Sequence, residues 1–232
     1  LIAAGIPAGK IVEGVLDCSI DGAAAAVGGA LKRGARAVLL APPFYFRDAA
    51  DTALFGWFSE VLTRACAPLR DIVLYHIPSM TGVPLSFDLI ARLRKAFPAA
   101  ILGVKDSSGD RDHTFRLLKA HGDLTVLVGD ERYLGAACAA GAAGSICGIG
   151  NIEVARLRRV VREKKDDPAI AALVEAIVKL PVIPAVKMAV ALRQGDKDWA
   201  LPRPPLSPLS DVQGRMLADA LGALPALEHQ SA

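Results

Sequence analysis

The stretch AILGVKD, from Ala100 to Asp106, is a continuous apolar run that ends in a lysine and an aspartate. Five more runs of this kind recur along the chain, namely KIVEGVLD (residues 10–17), ARAVLLAPP (35–43), DIVLYHIP (71–78), LTVLVGD (124–130) and AAGSICGIG (142–150). Runs without regular polar alternation indicate strands that are buried on both faces, as in a parallel sheet covered by helices. The sequence therefore predicts six buried, parallel strands.

Helical patterns fill the gaps between these runs, for example from Asp51 to Ala65 and from Phe87 to Ala96. A series of βα units folds either into an open doubly wound sheet or into a (β/α)8 barrel, and the pattern fits both. Dinucleotide binding is poorly supported, because Gly148-Ile-Gly150 is followed by Glu153 where the fingerprint needs a third small residue.

The number of runs limits the choice of fold. Six strands cannot close an eight-stranded barrel, so a barrel requires two further N-terminal βα units, on the order of 60 residues, and Leu1 to Ala8 would be the tail of a helix. After the sixth run only helical patterns occur, from Val154 to Lys164, Ala169 to Leu192 and Asp211 to Leu224. We expect residues 1–152 to be a partial barrel and residues 153–232 to be a C-terminal helical region packed on it.

Composition and charge narrow the class of partner. The chain has 232 residues, of which 53% are hydrophobic, so it can bury a large core. Its net charge of +3 comes from interspersed positive and negative side chains, and it has no basic arm or face. This pattern does not favour a nucleic-acid or anionic-membrane partner, whereas a small anionic substrate remains compatible with it.

The four cysteines, Cys18, Cys66, Cys138 and Cys147, lack the spacing of a zinc site or a disulfide framework. We expect them to be buried free thiols in a reducing compartment, and we expect no metal and no organic cofactor. The sequence has no apolar run long enough for a membrane span and no secretory signal pattern, which predicts a soluble, cytoplasmic protein.

Lys105 stands where a parallel strand delivers its last side chains to the active edge of a sheet. Strict alternation puts Ile101, Gly103 and Lys105 on one face, and Leu102 and Val104 on the other. A charged amine is costly among apolar neighbours, so this position favours a nucleophile toward a carbonyl. The alternative is a lysine whose stem packs on the sheet while its ammonium group reaches water.

Tyr75 lies near the end of the preceding run. Neighbouring parallel strands are about 4.8 Å apart, so its side chain is able to meet that of Lys105. A tyrosine beside an imine-forming lysine can move the protons that the reaction requires, although a core tyrosine with a satisfied hydroxyl is the alternative. His76 should point to the opposite face, where a structural role is expected.

Two strings, YHIPSMTG (Tyr75 to Gly82) and GVKDSSGD (Gly103 to Asp110), resemble the two signatures of the dihydrodipicolinate synthase and N-acetylneuraminate lyase family. Weaker matches occur in family order across nearly the whole chain. They are APPFYFRD (41–48), GAAGSICGIGNI (141–152), KLPVIPAVKMAV (179–190) and RPPLSPLS (203–210).

This resemblance implies a (β/α)8 barrel with a C-terminal helical extension, whose first two βα units are missing here, and a homodimer or homotetramer. It implies that Lys105 forms a Schiff base with a small 2-keto acid and that Tyr75 relays protons. Tyr45 matches a tyrosine that in many relatives reaches across the dimer interface into the neighbouring site. Ile146 matches the position whose backbone carbonyl faces the keto-acid pocket.

The sequence departs from the family pattern in two places. The Gly-Thr-Thr-Gly-Glu segment, whose threonines complete the proton relay and bind the keto-acid carboxylate, belongs to the missing N-terminal part, so we expect the chain as written to be inactive or unstable. Met80 stands where dihydrodipicolinate synthases carry an arginine that grips the carboxylate of the aldehyde substrate. A thioether cannot form that ion pair.

Further substrate-binding candidates are Ser107, Gly129 and Glu131, which follow their strands at the same predicted edge. Glu131 lies near where neuraminate lyases read sugar hydroxyls with two acidic residues, but the second residue here is Arg132. A polar second substrate such as a 2-keto-3-deoxy sugar acid fits this position, and so does a solvated loop.

Three functions follow from these residues. The leading hypothesis is a Schiff-base-dependent aldolase or dehydratase that acts on pyruvate or a 2-keto-3-deoxy sugar acid. The second is 4-hydroxy-tetrahydrodipicolinate synthase, which joins pyruvate to aspartate semialdehyde and would need another cation to replace the missing arginine. The third is a catalytically silent keto-acid binder.

Overall fold

The computed structural model describes residues 1–225, and these residues fall into two compact units. The first unit contains Leu1–Gly129 together with Gly141–Ala143. The second contains Asp130–Ala140 and the chain from Gly144 onward. The division predicted at residue 152 stays a prediction, and its last seven residues, 226–232, lie outside the described part of the chain.

Five parallel strands form the sheet of the first unit and lie side by side in chain order. They are β1 (Val12–Val15), β2 (Ala37–Leu40), β3 (Ile72–His76), β4 (Ile101–Asp106) and β5 (Thr125–Val128). Each of them lies within one of the apolar runs, so five of the predicted strands and their parallel arrangement are confirmed. Because parallel strands run in one direction, the residues that follow them gather at one edge of the sheet.

Helices connect these strands and cover the sheet. They are α1 (Ile20–Lys32), α2 (Asp51–Arg64), α3 (Pro78–Thr81), α4 (Phe87–Ala96) and α5 (Arg111–His121). Ser19, Ser86 and Asp110 begin three of them, each accepting a hydrogen bond from a backbone N–H of the first turn. Apolar side chains such as Phe58 and Leu89 are fully buried in this layer, as a core-facing helix stripe requires.

A bulge in β4 changes which side chains share a face. Ile101 pairs with Ile72, but the next residue of β3, Val73, pairs with Gly103, so Leu102 is an extra residue in the ladder. Leu102 packs with Tyr75 against a cluster of Ala37, Leu39 and Val73. The expectation that Ile101 shares a face with Gly103 and Lys105 is therefore wrong, because the bulge breaks the alternation between residues 101 and 103.

The second unit is mainly helical. It contains α6 (Leu134–Ala139), a two-residue strand β6 (Gly144–Ser145), α7 (Val154–Glu163), α8 (Pro168–Val178), α9 (Val182–Gln194) and α10 (Asp211–Gly222). The single helix expected from Ala169 to Leu192 is two helices, since the chain turns at residues 179–181 and Pro181 directly precedes α9. Within this unit α10 packs on α8 and α9.

Two further expectations need correction. The segment from Leu1 to Ala8 is not the end of an α-helix but contains a short 3-10 turn, Ile2–Ala4, and starts a second one, Ala8–Lys10. Of the four cysteines only Cys138 is buried, while Cys66, which lies in the loop after α2 and has a positive φ of 48°, is exposed. No helix among residues 1–225 is long and apolar enough to cross a membrane.

Candidate active site

Tyr75 and Lys105 are register partners at the carboxyl ends of β3 and β4. The Lys105 ammonium nitrogen Nζ donates a hydrogen bond of 3.0 Å to the Tyr75 hydroxyl, and Nζ lies 4.3 Å from the centre of the Tyr75 ring. Lys105 is only 7% exposed. The contact expected from the sequence is therefore present, and the alternative of an ammonium group held in water does not describe this side chain.

This pair has the groups that imine chemistry requires. An amine attacks a carbonyl carbon as a nucleophile, and the resulting hydroxyl must gain a proton before it leaves as water. A tyrosine hydroxyl within hydrogen-bond distance of the amine is placed to move such protons. The arrangement is thus suited to Schiff-base formation with a small carbonyl compound.

Two glycines near the Tyr75–Lys105 pair, Gly103 and Gly129, allow neighbouring atoms to approach the backbone closely. A Cβ atom on Gly103 would lie 1.9 Å from the carbonyl oxygen of Thr125 in β5, so no other residue fits at this position without moving a strand. A Cβ on Gly129 would lie 2.1 Å from the Ser107 hydroxyl. Ser107 and Gly129, two predicted substrate contacts, therefore lie against each other at the edge that carries Lys105.

Tyr45 lies in the loop between β2 and α2, and it is 79% exposed. Its ring contacts the Phe46 ring edge to face, with 5.4 Å between centroids, and its backbone N–H donates to the Cys18 thiol over 3.4 Å. No contact within residues 1–225 joins Tyr45 to Lys105. The structure of one chain therefore does not bring this third predicted catalytic residue to the lysine.

Arg47, which no sequence pattern marks as a site residue, lies beside Tyr45 on a cavity of about 560 Å3. Its side chain covers Gly82, where an added Cβ would lie 2.9 Å from Arg47 Cδ. Gly82 has a φ of +66° and follows α3, which carries Met80 with 69% of its surface exposed. An exposed arginine thus covers a glycine that lies two residues after Met80.

The sheet face opposite the lysine carries a second register pair, His76 and Asp106. His76 Nδ1 accepts a hydrogen bond of 3.0 Å from the Leu85 N–H, and the His76 ring stacks on that of His113 at 4.5 Å. Burial and, to a lesser degree, the nearby His113 lower the pKa of His76 from its usual 6.5 to about 4, against the Asp106 charge, which raises it. The expected structural role of His76 agrees with these contacts.

Asp106 is buried beneath the start of α5. Its carboxylate accepts hydrogen bonds from the Thr114 hydroxyl at 2.6 Å and the Ser108 N–H at 3.0 Å, and it lies 3.3 Å from His113 Nδ1. Burial by itself raises the pKa of Asp106, but the hydrogen bonds from His113, Thr114 and Ser108 outweigh it and hold that pKa below its usual value. The aspartate is therefore a charged anchor for the residues that follow β4.

His76, Asp106 and His113 offer ligand atoms within 4.8 Å of one another, which raises the question of a metal site. Their arrangement does not suit one. Because His76 Nδ1 already accepts the Leu85 N–H, the proton of the neutral ring is on Nε2, which leaves no free lone pair for an ion. The two imidazole rings are also parallel within 9°, so their in-plane lone pairs do not converge on one point.

Glu131 and Ile146 belong to the second unit. The Glu131 side chain is buried, and its Oε1 accepts a hydrogen bond of 3.0 Å from the Ile149 N–H. Burial first, and then the Glu131 charge, raise the pKa of the neighbouring Cys147 thiol to about 12. Ile146 is half-buried. The substrate contacts predicted for both residues stay predictions.

Residues 10–224 match the model of the dihydrodipicolinate synthetase family. An uncharacterized DapA-like lyase of Chloroflexus aurantiacus is 33% identical over 192 residues, which cover 79% of this chain and 63% of that protein. The matched part of this chain thus spans less than two thirds of that relative's length.

Solved structures agree with this match. The crystal structure of a dihydrodipicolinate synthase from Agrobacterium tumefaciens superposes with a TM-score of 0.93 at 47% identity, over 96% of this chain and 78% of that one. A variant of the Sulfolobus solfataricus 2-keto-3-deoxygluconate aldolase superposes with a TM-score of 0.74 at 18% identity, over 93% of this chain and 74% of that one. At that identity the second likeness shows a common fold alone.

Proposed function

Because this chain belongs to the dihydrodipicolinate synthetase family, whose members are class I aldolase-type lyases, we propose that its protein forms a Schiff base with pyruvate or a 2-keto-3-deoxy sugar acid. Lys105 is the proposed nucleophile and Tyr75 the proposed proton relay. The observation that carries the proposal is the 3.0 Å contact between Lys105 Nζ and the Tyr75 hydroxyl. The proposal includes the (β/α)8 barrel expected from the sequence, of which the first unit supplies five parallel strands.

The proposed reaction begins when the neutral Lys105 amine attacks C2 of the keto acid. The new C–N bond forms as the C2 carbonyl opens, and the oxygen takes a proton from the Tyr75 hydroxyl. The nitrogen of the adduct then gives one of its protons to the Tyr75 phenolate, and Tyr75 passes that proton to the C2 hydroxyl. The hydroxyl leaves as water while the freed nitrogen lone pair forms the C=N bond of the iminium. The iminium then withdraws electrons from C3, so a bond at C3 can be made or broken through an enamine.

An aldolase or dehydratase reaction is our first candidate for the step that follows formation of the Schiff base. Met80 is exposed and uncharged, so the position that would grip an aldehyde carboxylate offers no cation. Ser107 and Gly129 lie against each other at the same edge as Lys105, which supports their proposed role beside the keto acid.

A trapping experiment tests the lysine. The full-length protein, the Lys105→Arg variant and the Lys119→Arg variant are each incubated with pyruvate and borohydride, and their peptides are analysed by mass spectrometry. Lys119 lies on the exposed side of α5 and serves as the matched control. We expect a stable adduct on Lys105 in the wild type and in Lys119→Arg, and none in Lys105→Arg. Equal adducts in all three proteins contradict the proposed mechanism.

A synthase reaction is the second candidate, and the position of Arg47 favours it. Arg47 covers Gly82, two residues after Met80, and forms no ion pair with any carboxylate of residues 1–225. We propose that this guanidinium can bind the carboxylate of aspartate semialdehyde in place of the missing arginine. The relative named dihydrodipicolinate synthase, at 47% identity, also supports this candidate.

Steady-state kinetics separate the two candidates. Each enzyme form is assayed with pyruvate and either aspartate semialdehyde or the uncharged glyceraldehyde. If the synthase candidate holds, Arg47→Gln raises KM for the semialdehyde by about tenfold or more and leaves glyceraldehyde unaffected. Arg33→Gln is the control, because Arg33 pairs with Glu13 at the far end of β1. Faster turnover of a 2-keto-3-deoxy acid than of either aldehyde supports the first candidate.

A further inference from the structure

A cavity of about 480 Å3 lies in the first unit, on the side of the sheet opposite Lys105. Pro78, Leu85 and Phe87 supply apolar walls, whereas His76, His113 and Arg116 supply nitrogen donors. None of these residues takes part in the proposed Schiff-base chemistry. The cavity is therefore separate from the candidate active site.

His76 contributes a buried donor to this cavity. The side chain is only 3% exposed, and its Nδ1 accepts the Leu85 N–H, which fixes the neutral ring with its proton on Nε2. No acceptor for that Nε2–H occurs among the contacts of residues 1–225. Nε2 is not among the fully buried side-chain atoms without a partner in this part of the chain, so it is reached from the cavity that His76 lines, and an oxygen atom that enters the cavity can accept its hydrogen.

Arg116 contributes a positive charge at the rim. Its guanidinium carbon lies 5.9 Å from the centre of the Phe87 ring, and it pairs with no carboxylate in the described part of the chain. Asp110 is the opposing charge on the cavity wall. Its Oδ1 accepts the His113 N–H at 3.0 Å as the cap of α5, so this carboxylate is already engaged by the helix terminus.

Together these contacts have the character of a carboxylate site with an apolar wall. We propose that the cavity binds a small monocarboxylic acid with an aromatic or branched apolar body, separately from the keto acid at Lys105. One carboxylate oxygen accepts the His76 Nε2–H, the carboxylate pairs with Arg116, and the apolar body packs on Phe87 and Pro78. The site differs from a metal site because both donors carry protons.

Isothermal titration calorimetry with 3-phenylpropanoate tests the proposal on the full protein. This probe has a carboxylate and an aromatic ring but no keto group, so it forms no imine with Lys105. Its neutral analogue 3-phenylpropan-1-ol has the same apolar body. We expect the acid to bind at least tenfold more tightly than the alcohol, and we expect the Lys105→Arg variant to bind it as the wild type does.

Two variants and a control locate the binding. Arg116→Gln removes the charge, and His76→Asn keeps an acceptor for the Leu85 N–H but loses the Nε2–H donor. Arg111→Gln is the control, since Arg111 lies on the same helix over the Phe115 ring, at 4.7 Å, and does not line the cavity. Binding should weaken about tenfold in both variants and stay unchanged in the control.

Three results would overturn the proposal. They are no binding of the acid at any concentration that its solubility allows, equal binding of acid and alcohol, and equal weakening in Arg111→Gln and Arg116→Gln. Arg116 is exposed, so its variant keeps the test valid if His76→Asn does not fold. Failure of the Lys105 trapping experiment leaves this test unaffected, because the calorimetry does not depend on turnover.

Discussion

The Thr114 hydroxyl donates a hydrogen bond of 2.6 Å to Asp106 Oδ2, and this bond ties the first turns of α5 to the residue that follows Lys105. Thr114→Val keeps the shape of the side chain but removes the donor from a buried carboxylate. We expect the free energy of unfolding to fall by about 2 kcal/mol, as for other hydrogen bonds to charged groups. Urea denaturation at pH 7 measures this loss.

The pH dependence of that loss follows from the lowered pKa of Asp106. A carboxyl whose pKa is lower in the folded state stabilises the fold above its unfolded pKa and loses this contribution as the pH falls through the folded pKa. The difference between wild type and Thr114→Val should therefore be constant above about pH 5 and shrink in stronger acid. Thr52→Val on the exposed side of α2 should change stability by less than about 0.5 kcal/mol.

His76 gives a second pH effect at a higher pH. Its pKa is about 4 in the folded protein and 6.5 ordinarily, so the unfolded chain binds the extra proton between these two values. Stability should therefore rise with pH across that window, by about 2 kcal/mol between pH 5 and pH 7. Denaturation of His76→Asn at both pH values is the comparison, and a pH dependence equal to that of the wild type contradicts the assignment.

Gly103→Ala should destabilise the first unit strongly. The added methyl group would lie 1.9 Å from the Thr125 carbonyl oxygen, so β4 and β5 would have to separate. A loss of about 3 kcal/mol or more is expected, because backbone cannot move aside as a flexible side chain does. Gly56→Ala in α2 is the matched control, since a Cβ there meets no atom within 4 Å. Thermal unfolding of Gly56→Ala should occur at a slightly higher temperature than that of the wild type.

Tyr75→Phe should separate imine formation from turnover. The ring remains against Lys105 and its apolar cluster, but the hydroxyl that accepts the Nζ hydrogen bond is gone. We expect kcat on the true substrate to fall by about a hundredfold or more, as when a general acid or base is removed. Slow borohydride trapping of pyruvate on Lys105 should persist. Unchanged kcat would show that Tyr75 is a packing residue.

The proposed role of Tyr45 in a neighbouring active site can be tested by mixing two inactive variants. If its exposed ring completes the site of a neighbouring copy, Tyr45→Ala and Lys105→Arg inactivate different halves of the same site. After subunit exchange, a mixed dimer contains one site with both residues intact. We expect the mixture to recover activity that neither protein has alone. An inactive mixture, with exchange verified by native mass spectrometry, contradicts the proposed role.

The strands of the first unit were predictable because each is a short apolar run that ends in polar residues. The same reasoning placed Tyr75 and Lys105 at adjacent strand ends, since parallel strands that follow each other in sequence usually pair. Pro181 separates α9 from α8, whereas the apolar pattern predicts one helix there, because apolar periodicity alone does not mark where a helix stops.

Other features depend on contacts that sequence reasoning does not give. The stacking of His76 on His113 joins a strand to a helix, and nothing in their spacing of 37 positions predicts it. The exposure of Cys66 depends on how the loop after α2 packs, which its apolar neighbours in sequence do not reveal. Arg47 lies in the string APPFYFRD, which resembles the family. The lack of a cation at position 80 is the sequence signal that suggests a search for another arginine.

The bulge at Leu102 changes which sheet face the following residues of β4 occupy. Under strict alternation Lys105 would share the side of Ile101, which faces the helices together with Ile72. One additional residue lets Ile101 remain in the helix-covered core while the amine emerges on the Tyr75 side. Deletion of this single leucine would therefore give a regular ladder in which Gly103 follows Ile101 directly and Lys105 stays opposite Tyr75. A strand that kept Leu102 but lost the bulge would instead turn the lysine toward the layer that contains His76.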